Sequence, residues 1–199
     1  TKLYSKTSFI YIIIILYLIP ESHCMNNKNN LKLLSNYNTI LLTVKGPGTI
    51  SILNSYFSIM PSAIYLNDTT TTTGSTIYLP NTINYVKLVF SSILTSCTSM
   101  FKGCTEILEI DLTDFISSSV QYIDYMFCDC TSLKSVRFGN FQTSQVYSMT
   151  YTFFNCESLE TLDLSSFITT NVGDFHYMFY GCKSLKYLNL SNFITSTCY

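Results

Sequence analysis

The chain contains no tryptophan, a single alanine (Ala63), two histidines and only 12% charged residues, with a net charge of −1. Each shortage excludes something. Without a basic stripe there is no electrostatic footprint for nucleic acid, and no nucleic-acid partner is expected. Past the first 24 residues the only histidine is His176, and no cysteine pair has C-x₂-C spacing, so a zinc site is not expected. Nucleophilic catalysis needs a base beside a serine or cysteine. His176 shares its position in the pattern with the polar residues Asp124 and Thr150, and reads as a solvated surface histidine. Glycine-rich phosphate loops are also missing. The expectation is a protein that is not an enzyme and carries no cofactor or metal. The alanine and tryptophan shortage, beside abundant Ile, Asn, Tyr, Ser and Thr, indicates an AT-rich coding sequence of the kind many protists have.

Long apolar runs are scarce too. The only one is "FIYIIIILYLIP" at 9–20, preceded by Lys2 and Lys6 and followed by "ESHC". A spanning helix usually needs about 20 apolar residues. This run is shorter and ends at Pro20, so 1–24 reads as a secretory signal peptide, with an uncleaved signal anchor as the other reading. Membrane attachment is then expected only through this segment or through an anchor beyond Tyr199. The chain starts at Thr1 and stops inside a repeated unit, so a fragment of a longer protein is expected, or one that pairs through an open edge. Residues 25–38 are a polar, Asn-rich linker.

What is present is a period of 26. "MFKGCTEILEIDLTDFISSSVQYIDY" from Met100 recurs from Met126, Thr152 and Met178. The columns stay apolar: Phe101, Phe127, Phe153 and Phe179 form one, and Cys104, Cys130, Cys156 and Cys182 the next. Ile110, Val136, Leu162 and Leu188 follow, and Phe115, Phe141, Phe167 and Phe193 form another. A fixed period of this size marks stacked units that cannot bury their apolar face alone. Segments such as "LETLDL" end on period-2 alternation and predict short strands. The Ser/Thr/Asn-rich stretch after them is turn-like. The Y-M-F-x-x-C stretch spaces its apolar residues at roughly helical intervals, which predicts a helical turn. Upstream, "TILLTVKGPGTISIL" predicts two strands around a turn at Gly46-Pro47-Gly48, and "NDTTTTTGS" predicts a loop. Residues 39–92 are expected to form an irregular N-terminal β cap, and 93–199 the repeats.

The stretch "MFYGCKSLKYLNLSNFITS" resembles the repeat of the BspA-like leucine-rich-repeat surface proteins, first catalogued as a domain of unknown function in mycoplasma surface proteins. The resemblance covers about residues 94–199. "PSAIYLND" and "INYVKLVFSSILTSCTSMF" look like the leader that such repeats carry in protist surface proteins. Thr152 departs from it by replacing the usual Met, and the last unit by breaking off after "TSTCY". The fold implied is an α/β leucine-rich-repeat-like solenoid with one strand and one short helical turn per unit. The role implied is non-catalytic adhesion or binding by a secreted or cell-surface protein, with an extracellular protein or glycan as partner. A structural spacer, or the N-terminal part of a larger protein whose activity lies beyond residue 199, are the other readings.

The outward strand positions are the candidate binding residues: Glu109, Ser135, Thr161 and Tyr187, with Asp111, Arg137, Asp163 and Asn189 beside them. The second set alternates in sign, which also suits cross-strand pairing. Thr113, Ser165 and Ser191 flank it. Tyr125, Tyr151 and Tyr177 recur before each M-F, either as an exposed contact ladder or as half-buried spacers. The cysteine column lies within reach of disulfide bonding, but parallel side chains suit buried thiols better; Cys128 and Cys130 can compete for one partner. Of two sequons, Asn67 in the "NDT" loop is the expected glycosylation site, while Asn189 falls on a strand.

Overall fold

A computed structural model describes residues 38–71 and 73–196. Residues 1–24, read above as a signal peptide or anchor, almost all of the linker and Cys198 lie outside the described residues. Ten strands run in order: β1 (Asn38–Lys45), β2 (Gly48–Ser51), β3 (Ala63–Leu66), β4 (Thr69–Thr71), β5 (Thr76–Leu79), β6 (Ile83–Phe90), β7 (Ile107–Asp111), β8 (Ser135–Arg137), β9 (Thr161–Asp163) and β10 (Tyr187–Asn189). They form one six-stranded sheet ordered β4-β3-β6-β1-β7-β8 and two pairs, β9–β10 and β2–β5.

The N-terminal strands follow their alternation. Ile40 and Leu42 of β1 face Leu88 and Val86 of β6 across an antiparallel ladder, Val44 faces Asn84 and Phe90 faces Asn38, all of them buried. The expected β1–β2 hairpin does not form: β1 pairs with β6 and β7, and β2 with β5. The threonine run is not wholly loop either. Asn67 and Asp68 take φ of 47° and 70°, and this two-residue turn with both φ positive closes a β3–β4 hairpin. β1 lies beside the first repeat strand, so sheet β4-β3-β6-β1 continues into β7 and β8.

The α/β leucine-rich-repeat-like solenoid expected from the sequence is overturned. Among the described residues there is no helix, and the repeat strands fall into separate small sheets. The cause lies in where the N–H groups of the Y-M-F-x-x-C segment go. In the first unit Ser99, Phe101 and Gly103 donate sideways to Asp124 O, Met126 O and Cys128 O of the next unit, at 2.9, 2.9 and 2.8 Å. Between them Met100, Lys102 and Cys104 close turns onto Cys97 O, Ser99 O and Phe101 O. A helix would send every donor back along its own axis; here alternate donors leave for a neighbour. The chain turns left-handed at Ser99, Tyr125, Tyr151 and Tyr177, and again at Gly103, Asp129, Asn155 and Gly181, all with positive φ. The second set uses residue types that tolerate this region, and a left-handed residue every fourth position forbids an α-helix.

The 26-residue register itself holds. Phe101, Phe127, Phe153 and Phe179 stack with centroids 5.9, 5.1 and 5.9 Å apart. Phe115, Phe141, Phe167 and Phe193 make a second stack at 6.0–6.5 Å. The parallel register β7–β8 pairs Ile110 with Val136, and β9–β10 pairs Leu162 with Leu188.

β8 and β9 are the exception. No strand pairing joins them among the described residues. Unit two reads Arg137-Phe138-Gly139, where unit one has Asp111-Leu112-Thr113 and unit three Asp163-Leu164-Ser165. The larger Phe138 ring stands edge-on to Phe127 and Phe141 in its own unit and to Phe153 and Phe167 of unit three, the last at 4.8 Å. Gly139, at φ 54°, leans toward unit one; a Cβ there would meet Thr113 Cα at 2.7 Å. Pushed from one side and drawn to the other, the strands part.

Candidate functional site

The outward strand residues do not form one continuous ladder. Glu109 and Asp111 pair with Ser135 and Arg137 across β7–β8, and Thr161 and Asp163 with Tyr187 and Asn189 across β9–β10. Between the two groups lies a notch of about 440 Å³ bordered by Ser135, Arg137, Gly139, Asp163, Ser165 and Ser166.

Several of the candidates have local work. Asp111 Oδ1 accepts the Thr113 N–H at 2.9 Å, Asp163 Oδ1 that of Ser165 at 2.9 Å, and Asn189 Oδ1 that of Ser191 at 3.1 Å. Each closes its own turn by a side-chain-to-backbone bond. The Ser165 hydroxyl and N–H hold the Asp163 carboxyl below its ordinary pKa. Glu109 Oε2 accepts from the Thr43 hydroxyl on β1 at 3.1 Å. Arg137 closes no turn. Its guanidinium lies 3.8 Å from Asp111 Oδ2 with 76% of the side chain exposed, a loose surface pair that contributes little. Tyr187 on β10 is exposed as well.

The tyrosine ladder forms: Tyr125, Tyr151 and Tyr177 stack at 4.8 and 5.1 Å, the first two half-buried and the third exposed. Lys102 Nζ sits 4.7 Å over the Tyr125 ring. Their shared left-handed φ is carried by a residue type that gains nothing from it. His176 is exposed, with Nδ1 2.6 Å from Asp174 Oδ1, which also takes the His176 N–H. That backbone bond leads the lowering of the Asp174 pKa. No hydrogen bond joins Nε2 to a serine or cysteine, and no group of three metal-ligating side chains is assembled, among the described residues. Asn67 sits in the β3–β4 turn with its amide turned inward, Oδ1 accepting the Tyr85 N–H at 2.9 Å and Nδ2 3.4 Å from Asn84 Oδ1. A glycan on that nitrogen displaces the second contact.

One buried polar column escaped sequence reasoning. Ser117, Thr143 and Thr169 are buried inside the Ser/Thr-rich stretch that read as turn. Thr143 Oγ1 donates to Ile168 O at 3.0 Å and accepts the Ile168 N–H at 2.8 Å, and Thr169 repeats this with Ile194. A polar residue recurring every 26 positions was the available signal. The cysteine column is polar in the same sense. Cys130, Cys156 and Cys182 thiols donate to Phe101 O, Phe127 O and Phe153 O of the unit before, at 3.0–3.1 Å. Thr152, the substitution in the methionine column, is accommodated because its hydroxyl donates to Met149 O at 2.7 Å.

These cysteines are free thiols: Cys104, Cys130 and Cys156 buried, Cys182 half-buried. Burial pushes the Cys104 thiol up to about 12 and Cys182 to about 11, with Cys130 and Cys156 raised well above the ordinary value. Thiolate is the reacting form. Iodoacetamide at neutral pH, with peptide mapping, is therefore expected to label Cys182 at least about tenfold faster than Cys130 or Cys156, whose reaction waits on local opening. Equal rates would show that the inner units are not closed.

Strand-and-turn units of fixed length, joined by stacked rings and backbone ladders, define a repeat protein. Residues 95–198 match the family described as "Mycoplasma protein of unknown function, DUF285", just over half of the chain, and the chain belongs to that family. No curated protein and no solved structure matches it. Among the described residues no helix is long and apolar enough to cross a membrane.

Proposed function

We propose that this is a non-catalytic secreted or cell-surface binding protein that meets an extracellular protein or glycan through the outward residues of β7–β10. The observation that carries the reading is the division of labour along these strands. Ile110, Val136 and Leu162 point into the core, while Arg137, Thr161 and Tyr187 are left on the outside, with Ser135 half-buried beside them. Aromatic and arginine side chains of this kind dominate binding surfaces. Membership of the mycoplasma family, the resemblance of the repeat to BspA-like surface proteins, and the apolar leader at 9–20 favour the same reading.

The test is attachment of the labelled chain to arrayed glycans and extracellular-matrix proteins. Tyr187→Ser and Arg137→Ser are expected to weaken attachment by about tenfold or more, with the unfolding midpoint unchanged. Attachment insensitive to both substitutions would move the contact off this surface.

A further inference from the structure

We infer that the notch between β8 and β9 is a subsite for the carboxylate of an acidic sugar, a proposal that rests on the binding role above and names the chemistry of its ligand. In units one and three the residue that opens the turn after the strand is an aspartate, and its own carboxylate takes the N–H two positions on. In unit four an asparagine does the same. In unit two that place belongs to Arg137, the chain's only arginine. Among the described residues the Gly139 N–H therefore has no side-chain oxygen to meet. The Phe138 N–H is also left over. Its counterparts Leu112 and Leu164 donate to Arg137 O and Asn189 O at 2.8 and 3.0 Å, whereas Phe138 has no such partner across the opened strands among the described residues.

Two successive N–H groups ending in a left-handed glycine make a concavity that favours an anion. Here the anion that the neighbouring units supply from their own chain has been exchanged for a guanidinium, and Phe138 and Gly139 both border the notch. A carboxylate from outside replaces the missing aspartate and pairs with Arg137 by charge-assisted bonds. The remaining border selects what carries it. Ser135, Ser165 and Ser166 offer hydroxyls, and Asp163, held ionised by its bonds from Ser165, accepts from hydroxyl donors and repels a second negative charge. One carboxylate set among several hydroxyls is the pattern of a sugar acid. An acidic peptide, with repeated charges and few hydroxyl donors, fits it less well.

The experiment titrates the full chain with glucuronate, with glucose and with a hexaglutamate peptide, followed by amide chemical shifts. Glucuronate is expected to move the Phe138 and Gly139 resonances, and glucose to bind at least about tenfold more weakly for want of the charge. Arg137→Asp restores the pattern of units one and three, so it is expected to fold with an unchanged or higher Tm and to lose glucuronate binding. Arg137→Gln keeps the side-chain length without the charge and is expected to weaken it by at least about tenfold. The inference is overturned if glucuronate leaves these amides unmoved, if Arg137→Asp or Arg137→Gln binds it as well as the parent, or if hexaglutamate binds more tightly. Loss of array attachment in Tyr187→Ser without any glucuronate binding would spare the proposed function and sink this site. Glucuronate binding with attachment unaffected by both Tyr187→Ser and Arg137→Ser would do the reverse.

Discussion

Phe127→Ala is expected to cost about 3–5 kcal/mol, a large share of the roughly 5–15 kcal/mol that holds a domain together. Phe127 has no exposed surface. Its ring lies between Phe101 and Phe153 and meets the edge of Phe138 at 6.2 Å, so truncation removes both faces of a three-ring contact and one edge pair. The surroundings have little freedom to collapse into the space. Phe127 N–H is bonded to Thr152 O, and its carbonyl accepts the Cys156 thiol, so its backbone is fixed to the unit that follows. Phe193, half-buried at the last unit, provides the comparison: its alanine variant is expected to cost less than half as much. In urea the Phe127→Ala midpoint should fall by about 2 M with the slope little changed. A loss of less than about 1 kcal/mol would mean that the central ring carries no more load than a surface contact, and the picture of units locked through one column would fail.

The columns were legible because burial acts on side-chain type, and a period of 26 writes the same apolar pattern four times. Phe101, Phe127 and Phe153 are buried as a set for that reason. The helix was misread because apolar spacing reports which residues face inward and is silent on where N–H groups go. Met100, Phe101 and Cys104 suit a helical turn or a chain of β-turns equally well. Gly103, Asp129, Asn155 and Gly181, a column of residues that tolerate positive φ, held the deciding information. The insertion of β1 beside β7 rests on a pairing between residues far apart in sequence, Leu42 with Ile110, which no local pattern encodes. The opening between β8 and β9 stood in the sequence as Arg137-Phe138-Gly139, but alternating charge in that column read as cross-strand pairing. Only the turn-closing role of Asp111 and Asp163 shows what arginine displaces there.

Alkali should unfold this protein well before it harms most domains of similar size. Cys97 and Cys104 are buried and neutral in the fold, and burial pushes both thiols up to about 12 from an ordinary 9.0. The unfolded chain loses these protons near pH 9 while the folded chain keeps them, so between 9 and 12 the unfolded state binds fewer protons and stability falls as pH rises. The contribution is complete below pH 9 and fades toward 12. At pH 10.5 each of the two thiols has lost about half its range, or about 2 kcal/mol, which makes about 4 kcal/mol together. Cys130 and Cys156, raised further and held among neighbouring thiols, act in the same direction. Lys87 opposes them: burial lowers its pKa, so losing its proton in the fold adds stability as pH rises toward 10.5, but it is one group against six raised thiols, Cys128 and Cys182 included. Urea midpoints at pH 8 and pH 10.5, with a phosphine reductant present throughout, are expected to differ by enough to leave the chain marginal at the higher pH. Cys97→Ala should remove about 2 kcal/mol of that difference while lowering stability at pH 8. A midpoint that does not move between pH 8 and 10.5 would require these thiols to ionise as readily inside the fold as outside it, which the burial of Cys97 and Cys104 does not allow.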